Sequence, residues 1–97
     1  MTSKQRAYLR SLANSIQSIV MVGKGGMSPE IIKQADDALK ARELIKGSVL
    51  ETSPLSAREA AEQIAQAAQA QVVQVIGGKF VLYRRNDEKP VIELPKA

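Results

Sequence analysis

The chain has 97 residues and contains neither cysteine nor histidine, which excludes disulfides, zinc sites built from those residues and Ser-His or Cys-His catalytic pairs. With 44% hydrophobic and 25% charged residues and only short apolar runs, the composition predicts one soluble globular domain. All of the net charge of +4 lies within residues 1–28, where Lys4, Arg6, Arg10 and Lys24 occur without an acidic residue. This concentration indicates a polyanionic partner, although a basic face that only keeps the protein soluble explains it equally well.

Several classes of function are not expected from this sequence. The N-terminal residues MTSKQRAYL lack the apolar segment and cleavage site of a secretory signal, so we expect a cytoplasmic protein with no membrane attachment. The paired carboxylates Asp36-Asp37 and Asp87-Glu88 have the pattern of surface charge, so we expect no enzyme. We also expect no metal, no cofactor, no small-molecule substrate and a monomeric state.

The first half of the chain predicts two helices and an intervening strand. Thr2 and Gln5 form a capping-box pattern at the start of the first helix, and the apolar residues 19–22 predict a short strand. A glycine-rich loop follows. Ser28 precedes a proline, which is the signature of a helix start, and this second helix is predicted to continue to about residue 42.

The second half predicts a strand, a helix and a β-hairpin, over residues 44–50, 56–68, and 71–76 with 79–84. The order α-β-α-β-α-β-β, with two strand-helix-strand crossovers and a final antiparallel strand, predicts an α/β fold of the α+β two-layer sandwich type. Its sheet should be mixed and four-stranded. We assign residues 1–85 to a single domain and residues 86–97 to an extended, loosely held C-terminal tail.

The segment IVMVGKGGMSP places a lysine among three glycines between the first strand and the second helix. A Walker loop needs Gly-Lys-Ser/Thr after a glycine and four residues, and the dinucleotide fingerprint needs a glycine where Ser28 stands, so nucleotide binding is not expected. A loop that enters a helix nevertheless presents backbone N–H groups, and glycines let a sugar-phosphate backbone approach. Residues 23–26 are therefore a tight turn or a phosphate contact, and the nearby positive charge favours the contact.

Four blocks of the sequence, KQRAYLRSLA, IVMVGKGGMSPEII, ALKARELIK and VVQVIGGKFVLYR, resemble the YhbY-like CRM-domain family of RNA-binding proteins. The resemblance covers residues 2 to about 85 and keeps the blocks in the family's order. It implies a four-stranded mixed sheet with helices packed on it, similar to the C-terminal domain of the third bacterial translation initiation factor.

The resemblance also implies which residues contact RNA. They are the residues of the GxxG loop and three basic residues of the preceding helix: Gly23, Lys24, Gly25, Gly26, Lys4, Arg6 and Arg10. Whether Lys46 and Arg84 reach RNA or only line a sheet edge stays open. Because single-domain bacterial members of the family are associated with precursors of the large ribosomal subunit, we expect a ribosomal RNA partner and a role in assembling that subunit.

Two departures from the family pattern and one alternative function remain. Gly47 stands where the family commonly has a β-branched residue, and Lys79-Phe80 replaces smaller or aliphatic residues. The alternative is a protein-interaction module, in which the tail and the open sheet face dock a ribosomal protein or another assembly factor. The prolines of the tail and its apolar residues Val91, Ile92 and Leu94 motivate this alternative.

Overall fold

Three helices and four strands follow one another in the predicted order in the computed structural model, which describes residues 1–96. The helices are α1 (Ser3–Ala13), α2 (Pro29–Arg42) and α3 (Ala57–Ala68). The strands are β1 (Ser18–Val22), β2 (Leu44–Val49), β3 (Gln71–Ile76) and β4 (Lys79–Tyr83). Within residues 1–96, no helix combines the length and the apolar character needed to cross a bilayer.

Each helix begins directly after the capping residue that the sequence indicated for it. At α1, the Gln5 amide donates to Thr2 Oγ1 at 3.2 Å and the Thr2 amide donates to Gln5 Oε1 at 3.1 Å, which completes the capping box. Ser56 and Glu59 form the same reciprocal pair at α3. At α2, the Ser28 hydroxyl accepts a first-turn backbone N–H, and proline occupies the first helical position.

The strands form one mixed sheet in the order β1-β2-β4-β3. β1 and β2 are parallel, whereas β4 is antiparallel to both β2 and β3. The strand-helix-strand unit from β2 to β3 therefore leaves a gap in the sheet, and the last strand of the chain fills it. As a result β1 and β3 are the two edge strands, a fact that decides where the candidate site residues lie.

Helices cover both faces of this sheet. On β4 the side chains alternate as predicted: Phe80 and Leu82 pack in the core beneath α2 and α3, and Val81 and Tyr83 pack in a second core beneath α1. The predicted two-layer sandwich corresponds to the sheet with α2 and α3. The opposite face of the sheet is covered by α1, and we call it the α1 face. The sequence pattern did not indicate that α1 packs on a different face from α2 and α3.

The C-terminal segment after β4 is held against the domain, so the expectation of a loosely held tail is wrong. Residues 84–96 contain no helix or strand, but Ile92 and Leu94 pack against the core beneath α1. The carboxylate of Glu43, a residue with no exposed surface at the C-terminal end of α2, holds the segment. It accepts three backbone N–H groups at 2.6 to 2.7 Å, those of Asn86, Val91 and Ile92.

Candidate nucleic-acid interface

The GKGG loop, residues 23–26, leaves the end of β1 as a four-residue turn. The Gly26 amide donates to the Gly23 carbonyl at 3.0 Å and closes the turn, so that Lys24 and Gly25 form its exposed tip. Gly26 is buried and has a φ of +68°, and a Cβ there would lie 3.2 Å from Pro54 Cγ. The fold therefore needs glycine at position 26, because a side chain would combine backbone strain with crowding.

Gly25 differs, because nothing in the fold requires its lack of a side chain. A Cβ at this position would meet no atom within 4 Å, and its φ is not positive. A Cβ at Gly23 would make an ordinary contact of 3.4 Å with Leu50 Cδ1. The absence of a side chain at Gly25 thus lowers the outer surface of the loop, beside Lys24, and leaves its backbone open to close approach by a large ligand.

The helix after the loop offers fewer free amides than its position suggests. Pro29 has no N–H group, and the Ile31 amide already donates to Ser28 Oγ at 3.2 Å. Glu30 adds an acidic side chain to the first turn. Attraction of an anion to this site therefore depends on Lys24 and the loop backbone, with the helix dipole as a supporting field.

The basic residues of α1 lie along the opposite edge of the sheet. Arg6 Nη1 donates to the carbonyls of Val72 at 2.8 Å and Val73 at 3.1 Å, at an irregularity in the pairing of β3 with β4. Arg10 is exposed, and together with Arg6 and Arg58 of α3 it lines an open groove along β3. We call this the arginine groove; none of the residues that line it is acidic.

The two clusters are neighbours along the chain but not in space. The GKGG loop comes directly after edge strand β1 in the chain, whereas the arginine groove runs alongside edge strand β3. Strands β2 and β4 lie between these two edges. Three strand spacings make this separation about 14 Å. The basic residues that are concentrated in residues 1–28 of the sequence are thus divided between two sites at opposite edges of the sheet.

Comparison with known proteins identifies the family to which this fold and loop belong. The sequence model of the CRS1/YhbY (CRM) domain matches residues 1–84, which include all the helices and strands found within residues 1–96. The chain belongs to the CRM-domain family. This confirms the resemblance that the four sequence blocks indicated.

Relatives of this CRM domain occur in bacteria and archaea. The chain is 44% identical over 95 residues to the probable RNA-binding protein YqeI of Bacillus subtilis, covering 98% of this chain and 99% of the relative. It is 37% identical over 100 residues to a probable RNA-binding protein of Methanocaldococcus jannaschii, covering 99% and 74% respectively. The solution structure of a Staphylococcus aureus protein superimposes with a TM-score of 0.80 at 47% identity, covering 98% and 99% of the two chains.

Lys46 and Arg84, the two open candidates, both have partners inside this CRM domain. Lys46 Nζ donates to the Ala13 carbonyl at 3.3 Å, at the C-terminal end of α1. Arg84 contacts the Asp36 carboxylate at 2.5 Å and the carbonyls of Asp36 and Ala68 at 3.1 and 2.9 Å. Arg84 thus joins α2 to the end of α3, and its hydrogen bond holds the pKa of the Asp36 carboxyl below its usual value.

Three of the four paired carboxylates of this CRM domain, all except Glu88, lie in ion pairs with neighbouring cations. Besides Asp36 with Arg84, the Asp37 carboxylate lies 3.1 Å from Lys33 Nζ, and the Asp87 carboxylate lies 3.2 Å from Arg85 Nε. In the part of the chain that the structure describes, no group of three carboxylates could hold a metal ion.

Sequence reasoning missed two residues that the fold uses, Glu43 and Arg58. Glu43 is a buried acceptor for the C-terminal segment, with a φ of +65°. A non-glycine residue with positive φ at a helix end has no sequence signal. Arg58 lies on the exposed side of α3, 3.8 Å from Glu62, and only the strand order brings it to the arginine groove.

Proposed function

We propose that this CRM domain binds RNA through the sugar-phosphate backbone at the GKGG loop, and that its partner is ribosomal RNA during assembly of the large subunit. The observation that carries the proposal is the exposed tip of the loop, where Lys24 stands beside a glycine that the fold does not require. The relatives from Bacillus subtilis and Methanocaldococcus jannaschii are named probable RNA-binding proteins, which supports RNA as the ligand.

The binding mechanism is electrostatic and steric. Lys24 attracts a phosphate, and the absence of a side chain at Gly25 lets the ribose-phosphate backbone reach the loop amides. Arg10 and Arg58 supply a second contact at the β3 edge, and Lys4 extends the positive field along α1. Arg6 contributes mainly by holding the β3 bulge, since two of its hydrogen bonds are already made within the protein. No cofactor and no catalytic step take part.

The remaining parts of the proposal concern organisation. We propose that residues 1–85 are the RNA-binding unit, that Ile92 and Leu94 of the C-terminal segment complete its hydrophobic packing, and that the protein acts as a cytoplasmic monomer. Lys46 and Arg84 are assigned to the structure of the domain, because both make hydrogen bonds within it.

Binding assays with loop variants test the loop directly. Lys24→Ala should weaken binding to a structured fragment of large-subunit ribosomal RNA by about fivefold, because one phosphate contact is lost. Gly25→Val should weaken it more, because a branched side chain then stands on the approach surface, while the thermal unfolding temperature stays close to that of the parent. Fluorescence anisotropy at fixed salt measures both.

Lys40→Ala is the matched control, because it removes the same charge from the other end of α2, where Lys40 is exposed. It should bind RNA like the parent. If Lys24→Ala and Gly25→Val also bind like the parent, the loop is only a turn and the proposed RNA contact is wrong.

The assembly role needs a separate experiment. A tagged protein should sediment with precursors of the large subunit on a ribosome gradient, and crosslinks from the loop should map to ribosomal RNA. Sedimentation away from every ribosomal particle, with RNA binding intact in the purified protein, would contradict the assembly role and leave the RNA contact standing.

The structure gives less support to the alternative function, a tail that docks a protein, because two of the three apolar residues of the tail are packed within the domain. Ile92 and Leu94 pack against the core beneath α1, and Val91 alone is largely exposed, at 61%. Removing residues 87–97 would also remove two of the amides bound to Glu43, so such a deletion would test stability first. Val91→Ser is the sharper variant; loss of particle association with intact RNA binding would favour the docking function.

A further inference from the structure

The end of the sheet beside the GKGG loop carries a row of four side chains, one from each strand. In β1, β2, β4 and β3 respectively, they are Met21, Ser48, Lys79 and Ile76, and the strand registers pair each one with the next. We call these residues the sheet-end row. They lie on the α1 face, because Lys79 alternates along β4 with Val81 and Tyr83, which pack beneath α1.

The α1 helix leaves this row uncovered. The C-terminal end of α1 lies at Lys46, whose Nζ donates to the Ala13 carbonyl, and Lys46 is two residues before Ser48 on β2. Met21 is 54% exposed and Ile76 is 64% exposed. Leu50, beside Gly23, is a further exposed apolar side chain at this end of the sheet, at 44%.

The row connects the two basic sites. Met21 lies on the strand that leads directly into the GKGG loop, and Ile76 is one of the residues that line the arginine groove. Lys79, in the middle, is exposed and forms no ion pair within residues 1–96. A ligand that runs between the two edges along the α1 face at this end of the sheet would cross these four side chains.

The chemistry of the row fits unpaired nucleotides better than a protein. A protein interface has a contiguous apolar centre, whereas Ser48 and Lys79 separate the two large apolar side chains here. Nucleotides instead present a flat apolar face and a phosphate in turn, which matches a pattern of apolar side chains and cations. The row and the arginine groove contain no acidic residue that would repel phosphate.

We propose that the sheet-end row holds an unpaired segment of RNA that runs from the GKGG loop to the arginine groove. Bases pack on Met21 and Ile76, and Lys79 pairs with a phosphate between them. This proposal rests on the proposed function and specifies its ligand: RNA with a single-stranded segment next to a helix, in preference to continuous duplex.

Two variants test the row without disturbing the cores. The Met21→Thr/Ile76→Thr double variant keeps side chains that suit strands and removes the apolar surface. It should weaken binding to an RNA hairpin with a single-stranded arm about tenfold, and it should leave weak binding to a blunt RNA duplex unchanged. Lys79→Gln should lower the magnitude of the salt slope by about one unit on the armed hairpin.

Val91→Thr is the matched control, because it changes another exposed apolar residue outside the row. NMR of the methionine methyl groups can detect RNA at the row directly, because the chain has only three methionines and Met21 is one of the row residues. On titration with oligouridylate, the ε-methyl resonance of the exposed Met21 should shift more than that of Met27, which is half-buried against the core beneath α2 and α3.

The outcomes of these experiments distinguish failure of the sheet-end-row proposal from failure of the proposed RNA-binding function. If the double variant binds the armed hairpin like the parent, or the Met21 methyl does not respond, the row is not an RNA site. If RNA binding is kept but association with ribosomal particles is lost, the row contacts protein and the proposal is wrong. If the parent binds neither RNA, both the row and the proposed function fail.

Discussion

Gly47 and Phe80 form a complementary pair on adjacent strands. They lie opposite each other in the β2/β4 register, and a Cβ at position 47 would overlap the phenyl ring of Phe80, which is 1% exposed. Sequence reasoning treated these residues as two separate departures from the family pattern. The structure shows that the two positions are sterically coupled, because the ring occupies the space that a β-branched side chain on β2 would fill.

A double-mutant cycle tests this pair. Gly47→Val should destabilise the domain by about 3 kcal/mol, because the new side chain overpacks the core. Phe80→Val should also destabilise it, by leaving a cavity. The combination Gly47→Val/Phe80→Val should be more stable than the sum of the two losses predicts, as measured by urea unfolding. Simple additivity of the two losses would mean that the residues do not compensate each other.

At the scale of elements, the junction of α2 and β2 organises the C-terminal segment. Glu43 has a φ of +65° and ψ of −41°, a costly conformation for a residue other than glycine. Its buried carboxylate explains why glutamate occupies the position. Burial alone would raise the pKa of Glu43, but hydrogen bonds from the amides of Asn86, Ile92 and Val91 outweigh it and hold the pKa below its usual value.

This lowered pKa predicts acid sensitivity. Because the folded-state pKa of Glu43 is below the unfolded-state value, its stabilising contribution is present at neutral pH and is lost as the pH falls through the folded-state pKa. Glu43→Gln should cost about 2 kcal/mol at neutral pH, since an amide replaces a charged acceptor of three N–H groups. The difference from the parent should shrink in acid, as measured by chemical unfolding between neutral pH and about pH 3.

Glu93→Gln is the control for this measurement, because it removes an exposed carboxylate from the same segment. It should leave the free energy of unfolding within about 0.5 kcal/mol of the parent at each pH. A gap between Glu43→Gln and the parent that stays constant with pH would show that ionisation of Glu43 does not stabilise the segment.

At the scale of the whole molecule, local signals predicted the elements and missed their arrangement. Caps such as Thr2 with Gln5 act within one helical turn, so the sequence pattern determines them. The position of β4 between β2 and β3 depends on packing over the whole sheet, and no short pattern encodes it. The distance between the GKGG loop and Arg10 follows from that order, and so it was not predictable from their closeness in the chain.

Because the basic residues lie at two edges of the sheet, we expect both edges to contribute to the salt dependence of RNA affinity. If about four phosphates are neutralised, a plot of log K against log salt should have a slope between about −3 and −4. Lys24→Ala and Arg10→Ala should each reduce its magnitude by about one unit, and their combination by about two, because they lie at opposite edges. Filter binding across a salt series measures this. A slope near zero for the parent would contradict an electrostatic mechanism.

Arg6 has a consequence for self-association. An edge strand such as β3 exposes backbone carbonyls and amides on which a strand from another molecule can pair. The Arg6 guanidinium occupies the carbonyls of Val72 and Val73, and the irregular pairing there interrupts the strand's repeat. A cation from a helix thus occupies two carbonyls of an edge strand, so we expect Arg6 to hinder the pairing of β3 with a strand of a second copy.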